Sequence, residues 1–394
     1  MRRLEALDGL RGFFLLFMLI NHMLFTGGYL LVKFNHGELG YVQDAQGFVF
    51  LSGLLIGLVH APRMVKHGYQ AGASKMLARA AELYVYALGS LAVIMLLGEI
   101  LPQSGTYWEP WLWQLAENDF GFAAAAAVLL YQPTYMDILP QYIVYLVVAP
   151  PLVWLCVTGR AAWVALGSFA VWAGVQLGFH LPLANAIHAA MGSLYDGLEF
   201  RAHFNVLAWQ VLFMGGVVLG ALTATRQIDW SRILRPERTE LFWTAAALLG
   251  MFCYLRLGTT WGLVPQSMVE RVADIERRAE FSLLFLVNFA ALAYLVAWLM
   301  IAGSRSESTG MKRAAAFLHG LFTLSFLRLL GRHSLQVYCW HIIVVYLLKG
   351  VDWHHGPFPE SVKTLIALGA VASLALPPLW RERQRWMPAL RPAG

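Results

Sequence analysis

The sequence predicts an all-α, polytopic membrane helix bundle of about ten transmembrane helices, with both termini cytoplasmic and residues 1–394 forming a single domain. Three observations predict it. Of 394 residues, 59% are hydrophobic and 13% are charged, whereas a soluble domain carries about 25% charged residues. Apolar runs of the length that crosses a bilayer, about 20 residues, recur from end to end with no long polar linker between them. Most of the 29 Lys and Arg fall on alternate connections, as the positive-inside bias requires.

In chain order the spans are read at 12–32, 42–61, 80–100, 142–158, 161–179, 204–225, 241–257, 281–302, 333–350 and 361–380. The run at 120–131 is too short to cross and reads as a re-entrant or surface helix; 314–327 is ambiguous in the same way. The segment 101–141 has Glu109, Glu117, Asp119 and Asp137 but no Lys or Arg, which places it outside. The segment 226–238, with Arg226, Arg232, Arg235 and Arg238, is placed inside. The loop 258–280 is the exception: it carries Arg271, Arg277 and Arg278, offset by Glu270, Asp274, Glu276 and Glu280, and is still placed outside. The net charge of +6 is therefore mostly a topology signal, and a nucleic-acid partner is not expected. The start, "MRRLEALDGLRG", reads as part of the first helix rather than a cleaved leader. Asp8 and Arg11 interrupt it and no small-residue cleavage site follows.

Polar residues inside the spans carry the functional reading, because such residues face a protein interior or a water-filled cavity. In "LRGFFLLFMLINHMLF", Asn21 and His22 sit deep in an apolar run. His22 lies roughly 16 Å along the axis from Arg11 and eleven residues on, so the two share a face with Asp8, Leu15 and Met18. That face is charged at the cytoplasmic mouth, apolar between, and polar again at depth. The second helix, entering from outside, starts with Gln43, Asp44 and Gln46. Asp44 and Ser52 share a face, and Asp44 is placed to reach the depth of His22 and orient its ring. Asp44 as a simple helix cap is the alternative. Gly53 and Gly57 form a small-xxx-small pair suited to helix packing.

The pattern of the first helix recurs in "LLGRHSLQVYCWH". Arg332 and His333 are at the cytoplasmic mouth, and Ser334, Tyr338 and His341 lie on one face. Two such helices suggest a shared cavity; for either histidine the alternative is a structural hydrogen bond to a neighbouring helix. On the third helix Arg79 and Glu82 are spaced to pair, or Arg79 is free for an anionic cytosolic ligand. On the outer side Tyr107, Trp108, Trp111 and Trp113 read as an interface belt or a sugar-stacking platform. Asp137 opens the fourth span, and Pro150 and Pro151 are expected to break it. Asn205 and Gln210 lie near the outer end of the sixth. Cys156, Cys253 and Cys339, odd in number and far apart, are expected as buried apolar residues rather than a disulfide or zinc framework. No metal site is expected.

Several stretches, "LDGLRGFFLLFMLINH", "DAQGFVFLSG", "MDILPQY", "FNVLAWQVLF" and "GRHSLQVYCWH", occur in an order that resembles the OpgC family across nearly the whole chain. That family comprises membrane succinyltransferases of osmoregulated periplasmic glucans, related to the acyltransferase-3 superfamily. The resemblance implies a multi-pass protein of the bacterial inner membrane that moves an acyl group, succinyl in the named members, from cytoplasmic acyl-CoA to a hydroxyl of a periplasmic glycan. Acyl-CoA is then a co-substrate and no cofactor is bound. His22 matches the essential first-helix histidine of related acyltransferases. The superfamily's two arginines spaced three apart on the third helix fall here on Arg79 and Glu82, a departure from the pattern.

The residue chemistry fits that reading. His22 is the expected base for the acceptor hydroxyl, with Asp44 its orienting partner. Asn21, Ser52 or His341 are expected to supply an oxyanion donor. Asp137, Asn205 and Gln210 are candidates on the acceptor side. Arg11, Arg79 and Arg332 are expected to hold CoA phosphates; for Arg11 and Arg332 the alternative is plain membrane-flanking positive charge. The rival class is a proton-coupled transporter or flippase of a glycan or small anion, using the same histidines as proton carriers; a structural membrane scaffold would leave them satisfied by neighbours.

Overall fold

A computed structural model describes residues 5–117 and 119–386. Among these residues there is no strand, only an isolated backbone bridge between Tyr131 and Arg201. The principal helices are α1 (Glu5–His22), α2 (Asp44–His67), α3 (Tyr69–Ile100), α4 (Ile138–Leu155), α5 (Ala161–Gln176), α6 (Val206–Ala224) and α7 (Glu240–Thr260). They continue with α8 (Leu283–Ile301), α9 (Thr309–Phe322), α10 (Ser325–Arg332), α11 (Ser334–His355), α12 (Glu360–Ser373) and α13 (Leu376–Trp386). Eight helices among the described residues are long and apolar enough to cross a membrane, or nine if the bent pair α9 and α10 is one span. The chain is thus a multi-pass membrane protein.

Eight or nine differs from the ten expected for two physical reasons. The helix α1 carries Glu5, Asp8 and Arg11 along its first half, so its apolar stretch is short. The segments 142–158 and 161–179 merge into one apolar helical run, Ile138–Gln176. Its turn comes at Gly159, whose φ of 84° only glycine adopts freely. The helix α4 passes through Pro150 and Pro151 without interruption, so the expected proline break is corrected to a glycine hinge. The first helix also stops at His22, ten residues before the expected end. Residues 23–43 form turns and two short 3-10 segments. Gly27 and Gly28, both at φ above +70°, turn the chain there.

Two crossings bring backbones into near contact. A Cβ added at Gly53 would lie 2.0 Å from the Phe213 carbonyl oxygen, and at Gly57 2.3 Å from that of Val217; Gly216 and Gly220 return the same fit against Phe50 and Leu54. The small-xxx-small pair of α2 therefore meets a matching pair on α6, which replaces side-chain bulk with close packing. At the other crossing, Gly9 and Gly12 of α1 lie against Phe322 and Leu327 of α9 and α10, and Gly331 lies against Asp8. These contacts seat α1 in the interior, where Leu15, Met18 and Leu19 are buried. By contrast α3, with 17% of its apolar window buried, presents most of its surface outward.

Candidate functional site

Helices α1 and α11 run parallel and are joined by three polar rungs. At the end that carries Arg11, its Nη2 donates to Ser334 Oγ at 2.5 Å. At depth, His22 Nδ1 and His341 Nε2 are 3.2 Å apart. At the far end, the Thr26 amide and hydroxyl both donate to Asp352 Oδ2 at 2.8 Å. Lys363 of α12 donates to the Thr26 and Gly28 carbonyls at 2.7 Å each. The face read from the sequence, from Arg11 to His22, is thus the face that α11 covers.

The middle rung fixes the ring protons. His341 Nδ1 bonds the Tyr338 carbonyl, which can only accept, so Nδ1 carries the proton. In the neutral ring Nε2 is then an acceptor, and His22 Nδ1 must donate to it. That leaves the lone pair on His22 Nε2. This nitrogen makes no hydrogen bond within the described protein and, unlike the orphaned ring nitrogens of His36 and His60, it is not sealed from solvent. His341 is fully buried, whereas His22 is partly exposed.

Tyr135 stacks on His22 with ring centroids 4.1 Å apart. It is held there from behind. Tyr338 donates to the Tyr135 carbonyl at 2.8 Å and Tyr346 to that of Thr134 at 3.0 Å. Tyr107, Trp108 and Trp111 are buried. Trp111 packs on Tyr135 and Tyr346, and Trp108 donates to the Tyr346 carbonyl at 2.9 Å. Neither an interface belt nor a stacking platform describes these three: Trp111 backs Tyr135, Trp108 backs Tyr346, and Tyr107 packs on Trp108. Trp113, half-buried, lies under the Arg201 guanidinium.

Asp44 does not orient His22, whose Nδ1 is taken by His341. Its carboxylate accepts from Asn21 Nδ2 and, at 3.3 Å, from Asn35 Nδ2. His36 Nε2 is 3.6 Å from its other oxygen; burial pushes His36 down to about 4, so it faces Asp44 as a neutral ring. Asn21 is thereby committed to Asp44. Ser52 lies elsewhere, around a small void with Tyr142 and Phe213. His341 spends its only ring N–H on Tyr338, so it is not an oxyanion donor.

On the acceptor side, Asp137 is buried at the start of α4 and makes no side-chain cap bond. Asn205 is an N-cap: its side chain accepts from the amides of Leu207 and Ala208 at 3.0 and 3.2 Å. Gln210 uses both ends of its amide on Ser168, at 2.7 Å each. Those two residues are structural ties.

At the opposite end the three expected arginines do converge. Arg11, Arg79 and Arg332 line one cavity of about 380 Å³ with His333, Ser334, Gln336, Arg381 and Glu382. Arg79 pairs with Glu82 at 2.7 Å. Glu382 lies 3.3 Å from His333 and 3.9 Å from Arg332, a carboxylate placed among cations. Arg381 and Glu382 come from α13, whose basic sequence is indistinguishable from a membrane-flanking positive segment. Tyr135 gave no signal either, being one aromatic in a short polar stretch. Arg278 did give one, an arginine in the loop that defied the positive-inside bias.

The three cysteines are unpaired, and among the described residues no cluster of His, Cys, Asp and Glu could hold a metal ion. No curated protein and no solved structure matches the chain. The family described as OpgC protein matches residues 2–386. With the match covering nearly the whole chain, and a membrane bundle whose histidine and arginine faces meet on α1 and α11, the chain belongs to the OpgC protein family.

Proposed function

We propose that the protein is an acyl-CoA-dependent O-acyltransferase of the bacterial inner membrane. It moves an acyl group, succinyl by family resemblance, from the cytoplasm to hydroxyls of a periplasmic glucan or related glycan. The family suggests acyl transfer to glucans; the direction and the roles below are our reading. Ten passes follow if α1 crosses and the Ile138–Gln176 run turns back at Gly159, with α9 and α10 a re-entrant pair. Both termini are then cytoplasmic, and the arginine cavity opens there.

The observation that carries this reading is the hydrogen-bond chain from the Tyr338 carbonyl through His341 to His22. It leaves His22 Nε2 as the acceptor at the point where an alcohol would arrive. In the reaction His22 Nε2 takes the hydroxyl proton while the oxygen bonds to the thioester carbon. As the C–S bond breaks, the same proton passes to the CoA sulfur, leaving an ester and free thiol. His341 is a positioning residue: it holds the His22 tautomer and, with the stacked Tyr135 ring, stabilises the transient imidazolium. Arg11, Arg332 and Arg381 supply donors to phosphate oxygens at the cytoplasmic end. In this reading the pantetheine arm reaches from the arginine cavity towards the histidines.

The test uses purified protein in lipid nanodiscs with an acyl-CoA and a periplasmic-type glucan. Free thiol should appear only when both substrates are present, and mass should be added to the glucan. Thiol release without acylated glucan, or neither, would count against the assignment.

A further inference from the structure

Three segments at the far end, 130–136, 200–205 and 276–282, are knitted together beside His22. The Gln132 amide donates to the Arg201 carbonyl and the Arg201 amide to that of Leu130, both at 3.0 Å; the Asn205 amide donates to Ala279 at 2.9 Å. The segment 276–282 is held at more points still. The Trp209 indole donates to the Arg278 and Ala279 carbonyls at 3.3 and 3.1 Å, Trp172 to Phe281 at 2.8 Å, and Gln176 to Glu280 at 2.8 Å. An irregular loop tied by two indoles and an amide has a fixed shape.

Its arginines differ in how they are used. Arg277 pairs with Glu280 at 2.7 Å, and the nearby Arg256 of α7 pairs with Glu276 at 3.3 Å. Arg278 has no carboxylate within 4.0 Å among the described residues, and its side chain donates no hydrogen bond there. Its guanidinium lies 5.7 Å from the centre of the buried Phe204 ring, which is adjacent to the Arg201 segment bridged to 130–132. The bridged segment 130–132 leads directly into Tyr135, the residue stacked on His22. The fold therefore mounts rigidly, beside the segment that carries Tyr135, a cation with no ion-pair partner within 4.0 Å among the described residues.

We propose that Arg278 is an anion-binding subsite on the outer side of His22, taking a carboxylate or similar charged substituent of a substrate. The charge belongs either to the far end of the transferred acyl chain or to the glycan acceptor. This inference rests on the acyl-transfer reading. Arg278 selects substrates and takes no part in the proton transfer.

The experiment pairs two donors, succinyl-CoA and the neutral butyryl-CoA, with two acceptors, a neutral β-glucan oligosaccharide and one bearing carboxylates. Wild type, R278Q and R278K are compared in nanodiscs. Loss of one charge-assisted, bidentate pair predicts about a 10- to 100-fold fall in kcat/KM for R278Q, confined to the pairings that carry the anion. R278K recovers part of it, keeping the charge but not the fork. If the fall follows the donor, the acyl carboxylate is the ligand; if it follows the acceptor, the glycan is. An equal fall in all four pairings, or none, overturns the subsite. Binding of the same compounds is read in parallel by tryptophan fluorescence. If no donor is turned over, the acyl-transfer reading fails; if wild type and R278Q bind the anionic compounds equally, this subsite fails.

Discussion

The two ends of the α1–α11 pair hold their polar groups in different ways. At the arginine end, charge is dense and loosely committed: Arg11, Arg79, Arg332 and Arg381 share a cavity, and Glu382 stands among them. At the histidine end, the two rings are linked by hydrogen bonds that run one way, from His22 to His341 to the Tyr338 carbonyl. Charge clusters recognise a polyanion over a range of poses and are screened by salt. A tautomer chain works only in one geometry. Under the proposed reading the contrast separates binding from chemistry, and variants at the two ends should separate in the same way.

The largest effect expected is from His22→Ala. It should lower thiol release by about 10²- to 10⁴-fold, the usual worth of a general base, while equilibrium binding of CoA stays within about twofold. A turnover near wild type would remove His22 from the chemistry. Next comes His341→Phe, which keeps the ring but leaves His22 Nδ1 without its acceptor. We expect kcat to drop by about 10²-fold with KM for the thioester nearly unchanged. A change confined to KM would instead make His341 part of substrate binding.

At the arginine end the prediction inverts. Arg332→Ala or Arg11→Ala should raise the Kd for CoA by about 10-fold, one charged hydrogen bond at ~1.5 kcal/mol, with kcat little altered. Raising salt from 0.05 to about 0.5 M should weaken binding in wild type more than in these variants. Glu382→Gln should tighten CoA binding about two- to fivefold, because the phosphate no longer displaces a carboxylate from Arg332 and His333. Weaker binding in that variant would show that Glu382 holds the cavity open rather than competing for it. The smallest effect concerns Asn205→Ala, expected to cost about 1 kcal/mol of stability as a lost N-cap and to leave KM for the glucan unchanged. A selective rise in that KM would return Asn205 to the acceptor site.

Much of this was legible in the residues alone. The helical class, the apolar runs and the faces of the first and last histidine helices follow from composition and the 3.6-residue period, which are local properties. So does the convergence of Arg11, Arg79 and Arg332 towards one mouth, since positive flanks and helix registers place them at the same level. The Gly53 and Gly57 pair announced a close helix contact without saying with what.

Other features came only from the packed molecule. Asp44 was placed opposite His22 by depth, yet depth fixes one coordinate of three; Asn21 of α1 and, from the turns that follow, Asn35 and His36 meet that carboxylate instead. Asn205 and Gln210 looked available until their backbone and Ser168 partners came into place. Tyr135 and Arg278 sit in irregular segments, where no periodicity reports a facing direction, and Arg381 and Glu382 sit on α13, whose basic sequence reads only as a membrane flank. What the sequence determined by itself is that an imidazole lies deep in an apolar helix with cations at its mouth. What only the tertiary structure decided is which ring nitrogen keeps its lone pair. A proton's position depends on partners hundreds of residues away, and hydrogen bonds between helices leave no periodic trace in the chain.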